Sequence, residues 1–248
     1  RYVEARKLSD EVVEVNPNDI VDLVEAARIR RGQRLSEESL AVLSEAQRCV
    51  SDSTPTTQLW ILADAYYEFE MYTQAATIYE KVSDPTADTP NTRRLLYSCY
   101  EGDKLDRALE ICQSLREANG PLQYASEMET AIYEEIGGLP KAEEICLNYL
   151  KHFPDDDVMC VRLAVINLRR GQDNKVDEFL AKPPSLSAIP TACAIQIANL
   201  QAARGRHRES TELLYEIRRS HPNNGNVHLR YIQSIFLGGH TEKRWLGA

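Results

Sequence analysis

Apolar residues recur at helical spacing along most of this chain, in stretches separated by short polar breaks. Three stretches show the spacing i, i+3, i+4, i+7 most cleanly: Ala75, Ile78, Tyr79, Val82; Ala108, Ile111, Cys112, Leu115; and Ala142, Ile145, Cys146, Tyr149. Residues at this spacing line one face of an α-helix. Each stretch follows another apolar stretch after a polar break, so the pattern predicts pairs of antiparallel helices.

The helix pairs repeat along the chain with a nearly constant period. Small residues at Ala75, Ala108 and Ala142 lie 33 and 34 residues apart. Continuing the period assigns Val176 and Thr211 to the same position in the next two pairs. Residues 20–31 and 36–49 predict a further pair upstream, 227–237 predict one more first helix, and 1–15 predict an additional helix. The count is about six helix pairs.

One segment links this period to a known repeat. Leu59-Trp60-Ile61-Leu62-Ala63-Asp64-Ala65-Tyr66, followed by Ala75 and Tyr79, resembles the tetratricopeptide repeat, in which a large residue, Leu, a small residue and Tyr precede an Ala and an aromatic. The resemblance implies an all-α fold, a right-handed α-solenoid forming a single array over 1–248. Its clearest units are 55–154, whereas 1–50 and 155–248 diverge more. With Thr211 assigned to the small position of its second helix, Asn199 falls at the first-helix position where the family usually has a small residue.

Glycine and proline punctuate the predicted pairs. Gly102, Gly137, Gly138, Gly171 and Gly205 fall between the two helices of successive pairs. A tight turn needs a residue that tolerates positive φ, so these glycines are predicted to be structural.

Two first helices are predicted to begin in the same way. Thr54 before Pro55 and Thr89 before Pro90 are predicted N-caps, each followed by proline at the first helical position.

Charge is distributed unevenly. The net charge is −9; residues 51–150 hold 7 basic and 18 acidic side chains, whereas 201–248 hold 8 and 4. The acidic middle argues against a general nucleic-acid binder, although the basic end leaves RNA binding open as an alternative.

No apolar run approaches the roughly 18 residues of a membrane span. Six scattered cysteines without a CxxC motif favour reduced thiols and a cytoplasmic setting.

The resemblance also implies where a partner binds. In the repeat family the first helices line the concave face, and the matching positions here are Trp60, Asp64, Tyr67, Glu68; Arg93, Tyr97, Tyr100, Glu101; and Tyr124, Glu127, Ala131, Glu134. Aromatic surface among carboxylates suits a peptide or partner domain with apolar and basic side chains. The alternative is that these aromatics fill the interfaces between repeats.

Catalytic patterns are missing from the sequence. The five histidines have no carboxylate or cysteine partners at catalytic or metal-ligand spacing, and no P-loop, GxGxxG or nucleophile elbow occurs. Asp155-Asp156-Asp157 lacks calcium-loop spacing and predicts a helix start. We therefore expect no enzyme, metal or cofactor, and a non-enzymatic protein–protein interaction scaffold. The alternative is a regulatory or assembly arm of a larger enzyme or signalling protein. Self-association through the end units is a further expectation.

Overall fold

The computed structural model describes residues 2–185 and 189–237, and this part of the chain is helical with no strand. The helices are α1 (Tyr2–Val15), α2 (Ile20–Gly32), α3 (Ser36–Arg48), α4 (Thr56–Glu68), α5 (Tyr72–Val82), α6 (Pro90–Glu101), α7 (Leu105–Asn119), α8 (Gln123–Glu135), α9 (Leu139–Leu150), α10 (Asp157–Arg169), α11 (Asp173–Ala181), α12 (Thr191–Ala203), α13 (His207–Ser220) and α14 (Gly225–Leu237). The predicted all-α fold is confirmed.

The helices form pairs joined by short turns. These pairs are α2/α3, α4/α5, α6/α7, α8/α9, α10/α11 and α12/α13, while α1 packs on α2 and α14 packs on α13. The predicted upstream pair is therefore present as α2/α3, and the predicted last first helix is α14. The chain divides into two compact units, unit 1 (Arg1–Leu122) with α1 to α7 and unit 2 (Gln123–Ala248) with α8 to α14. None of the described helices is long and apolar enough to cross a membrane.

Each of the six described pairs has one left-handed residue in its turn. These residues are Arg34, Glu70, Asp103, Gly137, Gly171 and Gly205, with φ between 59° and 80°. The prediction of positive φ was wrong for Gly138, whose φ is −81° and which follows the left-handed Gly137, and for Gly102, whose φ is −88°. The left-handed position in that turn is taken by the next residue, Asp103. Gly102 is required for a different reason, because a Cβ there would lie 3.1 Å from the backbone nitrogen of Thr73.

A small buried residue follows five positions after each left-handed residue. It is Ser39, Ala75, Ala108, Ala142, Val176 or Ser210 in the six pairs, and each is at most 1% exposed. The assignment of Thr211 was one residue out of register. Ser210 holds the position and places buried Ala198, not exposed Asn199, at the small position of the preceding helix.

The two serines at this position make the same hydrogen bond. Ser39 donates its hydroxyl to the carbonyl oxygen of Ala27, and Ser210 donates to that of Ala198, each at 2.7 Å. A buried hydroxyl needs such a partner, so serine replaces alanine here without an unsatisfied polar group.

Four of the six cysteines are buried core residues. Cys112 and Cys146 are fully buried at the position that Tyr79 occupies in the α4/α5 pair. Neither forms a disulfide bond. Burial raises the pKa of Cys146 to about 11, which suits a small apolar core residue rather than a reactive one.

The predicted helix starts are confirmed in two cases of three. Thr89 accepts a hydrogen bond from the Thr92 amide at 3.2 Å, and Asp156 accepts one from the Met159 amide at 3.0 Å. Thr54 is not a cap, because α4 begins only at Thr56. Its hydroxyl oxygen accepts a hydrogen bond from the Ser51 amide at 2.8 Å and so closes the preceding turn instead.

Candidate partner-binding surface

Eight of the predicted binding residues lie on α4 and α6 of unit 1. They are Trp60, Asp64, Tyr67 and Glu68 on α4, and Arg93, Tyr97, Tyr100 and Glu101 on α6. In each helix they follow the spacing i, i+4, i+7, i+8, so they share one face. The aromatic members are half-buried, and the glutamates are exposed. We call these eight residues the first-helix surface.

Three tyrosines form a cluster at one end of this surface. The ring centroids of Tyr67 and Tyr97 lie 5.8 Å apart, and those of Tyr72 lie 5.7 Å from Tyr67 and 5.6 Å from Tyr97. The planes meet at 60° to 81°, which is the edge-to-face geometry favoured by aromatic quadrupoles. Tyr72 was not among the predicted residues, because it belongs to the first turn of a second helix. Tyr67, Tyr72 and Tyr97 are the tyrosine cluster.

Asp64 and Trp60 also stabilise the helix pair. Asp64 Oδ1 accepts hydrogen bonds from Arg94 Nη1 and from the Tyr79 hydroxyl, each at 2.5 Å. Trp60 packs on the same Tyr79 ring at a centroid distance of 5.7 Å. Tyr79 is fully buried, and its burial, followed by the Asp64 carboxylate, raises its pKa above the usual range. These two surface residues therefore have a packing role as well as an exposed edge.

Glu68 and Arg93 are already engaged by neighbouring charges. Arg28 on α2 donates to Glu68 through Nε and Nη2, both at 2.9 Å. Arg93 Nη2 lies 3.0 Å from Asp88, just before α6 begins. Exposed ion pairs contribute little stability, but a bidentate arginine–carboxylate pair fixes the orientation of both side chains. The charges of Glu68 and Arg93 are therefore partly neutralised by Arg28 and Asp88.

Glu101 extends the acidic character of the surface to the tyrosine cluster. Burial first, and then the Glu101 carboxylate, raise the pKa of Tyr97 to about 12. Burial and Glu101 also raise the pKa of Tyr67, while Arg94 lowers it. Arg94 Cζ lies 5.9 Å from the Tyr67 ring centroid. The Tyr67 and Tyr97 hydroxyls therefore stay protonated at neutral pH, and Tyr97 donates a hydrogen bond to the exposed Glu101 carboxylate.

The remaining predicted residues belong to unit 2. Tyr124 and Glu127 are half-buried on α8, and burial raises the pKa of Glu127 while Arg162 lowers it. Glu134 accepts from Arg162 Nε at 3.1 Å and from Arg169 Nη1 at 2.6 Å. The first helices α8 and α10 of unit 2 are thus linked by ion pairs.

Within residues 2–185 and 189–237, no group of three or more His, Cys, Asp or Glu side chains could hold a metal ion.

Comparisons with known proteins identify the fold. No family model matches the sequence, and no curated protein matches it significantly. Among solved structures, a tetratricopeptide repeat protein from Parabacteroides merdae is 13% identical, with 94% of this chain and 92% of that chain covered and a TM-score of 0.55. The thermophilic repeat protein TTC0263 of Thermus thermophilus is 15% identical over 73% of this chain and 100% of its own, with a TM-score of 0.57. A chain of the APC/C hetero-tetramer Cut9–Hcn1 is 12% identical over 95% of this chain and 46% of that chain, with a TM-score of 0.54. The predicted resemblance is confirmed at the level of structure: this chain has the helix-pair repeat fold of tetratricopeptide repeat proteins.

Proposed function

We propose that this chain is a non-enzymatic protein-interaction scaffold whose first-helix surface in unit 1 binds a peptide or partner domain with apolar and basic side chains. The tyrosine cluster is the observation that carries the proposal. Half-buried tyrosines combine a large apolar contact area with a polar edge and lose little side-chain entropy on binding. Aromatic residues of this kind are enriched among the residues that dominate binding energy.

The charge of unit 1 supports the basic character of the partner. Residues 1–122 contain 22 acidic and 14 basic side chains. A negative surface steers positively charged partners and suppresses binding of acidic ones. Exposed Glu101 places part of that charge next to the tyrosine cluster.

The comparisons support the general role. The similar chain in Cut9–Hcn1 is part of a hetero-tetramer, so at least one protein of this fold assembles with another protein. Stacked helix pairs offer an extended surface on which a peptide can make many side-chain contacts.

The test is selection of binding peptides from a displayed random library with the full chain as bait. Affinities of the selected peptides are then measured for wild type, for a Tyr67→Ala/Tyr97→Ala variant and for Phe153→Ala. Phe153 is an exposed aromatic of unit 2 and serves as the matched control. Circular dichroism verifies that each variant is folded.

The double variant should bind the selected peptides at least about tenfold more weakly, because two hot-spot side chains are lost. The Phe153→Ala variant should bind them as wild type does. Equal binding by the folded double variant, or a library that yields no binding peptide, would contradict the proposal.

A further inference from the structure

The tyrosine cluster has the geometry of a corner. Its three ring planes are steeply inclined to one another, and its three centroid distances are nearly equal, from 5.6 to 5.8 Å. The three centroids lie closer to one another than the ~6 Å over which an aromatic face attracts a cation, so one cation beside the cluster can be in range of more than one ring. The cluster therefore groups three aromatic rings within reach of a single small cation.

The surroundings of this corner favour a positive charge. The exposed Glu101 carboxylate interacts with Tyr97, and to a lesser degree with Tyr67. Arg94, the nearby cation, is bound at 2.5 Å by Asp64, so part of its charge is neutralised. A cation at the corner would gain from both the ring quadrupoles and the carboxylate.

The chain already uses cation–aromatic contacts elsewhere. Arg31 Cζ lies 4.6 Å from the Phe69 ring centroid, and Arg218 Cζ lies 5.2 Å from that of Tyr231. In each of these contacts a planar guanidinium approaches one ring. A corner of three rings fits a compact, rounded group better than a planar one, because only a rounded group can face all three walls.

We propose that the tyrosine cluster is a subsite for an ammonium group of the partner, namely a lysine side chain, bound more tightly when its nitrogen is methylated. Methylation keeps the positive charge and reduces the cost of removing water from it, which is why aromatic walls recognise quaternary ammonium groups. Tyr67, Tyr72 and Tyr97 supply the walls, and Glu101 supplies the countercharge. The inference rests on the proposed function, since it names the chemical group that the first-helix surface takes.

The direct test titrates the full chain with a small probe and follows it by NMR. The probe is N-acetyl-trimethyllysine methylamide, and N-acetyl-norleucine methylamide is its neutral analogue. Weak binding should shift tyrosine ring resonances with the charged probe and leave them unchanged with the neutral one. The unmethylated lysine derivative should bind more weakly than the trimethylated one, and the arginine derivative should bind most weakly.

Variants distinguish binding at the tyrosine cluster from non-specific binding. Tyr72→Leu and Glu101→Gln should each weaken binding of the trimethyllysine probe about threefold, as expected for loss of one exposed cation–aromatic or charge contact. Tyr97→Phe should retain most of the affinity, because the ring face remains. Tyr215→Leu, which alters a tyrosine pair in unit 2, is the matched control and should bind the probe as wild type does.

Several results would overturn the inference. They are equal binding of the neutral analogue, tighter binding of the arginine derivative, unchanged affinity in folded Tyr72→Leu and Glu101→Gln, and no binding of the charged probe at its solubility limit. A second measurement distinguishes this failure from failure of the proposed function. If selected peptides lose no affinity when their lysines are replaced by norleucine, the ammonium subsite is refuted while the interaction surface stands.

Discussion

Gly102 provides a sharp test of how adjacent helix pairs pack. A Cβ added at this residue would lie 2.6 Å from the Ser98 carbonyl oxygen and 3.1 Å from the Thr73 backbone nitrogen. Both are backbone atoms, which cannot rotate away, so Gly102→Ala must distort the last turn of α6, which contains Ser98, and displace it from Thr73 at the start of α5. Overpacking of this kind typically costs about 1–3 kcal/mol, and contact with two backbone atoms favours the upper part of that range.

Two other turn variants isolate the effect of backbone conformation. Gly171 has φ +69°, and a Cβ there would meet nothing within 4 Å. Gly171→Ala should therefore cost only the left-handed penalty of about 1–2 kcal/mol. Asp103 is the left-handed neighbour of Gly102, with φ 59°. Asp103→Gly should change the free energy of unfolding by less than about 1 kcal/mol. Glycine relieves the left-handed strain at this position, and this gain is offset by the conformational entropy that glycine adds to the unfolded chain.

Urea unfolding followed by circular dichroism at 222 nm measures all three variants. Repeat arrays can unfold in parts, so fluorescence of Trp60, which lies in the same unit as Gly102, should be recorded in parallel in a Trp245→Phe background, because the chain has two tryptophans. We expect the order of destabilisation Gly102→Ala, then Gly171→Ala, then Asp103→Gly. If Gly102→Ala costs no more than Gly171→Ala, the close approach to Thr73 does not constrain the packing and the reasoning is wrong.

Three further measurements test individual contacts. Glu143 is 8% exposed and binds two cationic side chains that are themselves partly exposed, so Glu143→Ala should cost about 1.5–3 kcal/mol in thermal unfolding. Glu144→Ala, next to it but exposed, should stay within about 0.5 kcal/mol. Thr89→Ala should lose about 1 kcal/mol of helix capping, whereas Thr54→Ala should lose less, and equal losses would refute the cap assignment. The pKa of Tyr97 is raised to about 12 in the folded protein, against about 10 when unfolded, so its contribution to stability is complete below pH 10 and is lost as the pH rises through 12. Absorbance at 295 nm and unfolding curves should show this part of the pH dependence disappearing in Tyr97→Phe.

The local pattern of the sequence determined the helix pairs and their period. Apolar spacing depends only on residues within a few turns, and a small residue is needed wherever two helices of a pair approach closely. Ala75, Ala108 and Ala142 therefore predicted the buried small position correctly. The pattern gave the wrong residue at Thr211. The neighbouring Ser210 holds the small position, because its hydroxyl can be buried when it donates a hydrogen bond to the Ala198 carbonyl oxygen.

The repeat resemblance predicted eight candidate residues on α4 and α6 but did not indicate their partners. Arg28 and Glu68 are 40 residues apart in sequence, and Asp64 and Arg94 are 30 apart, so no local spacing indicates that they pair. Tyr72 joins Tyr67 and Tyr97 only because the start of α5 packs next to α6.

Gly102 also shows which features the sequence predicts and which only the structure reveals. The sequence identified it as a turn glycine, and only the structure showed that the approach of Thr73, rather than positive φ, requires it. Helix formation is decided by neighbours along the chain, which the sequence records directly. Contacts between helices depend on how the pairs pack in three dimensions, and that packing decided which side chains form the surface.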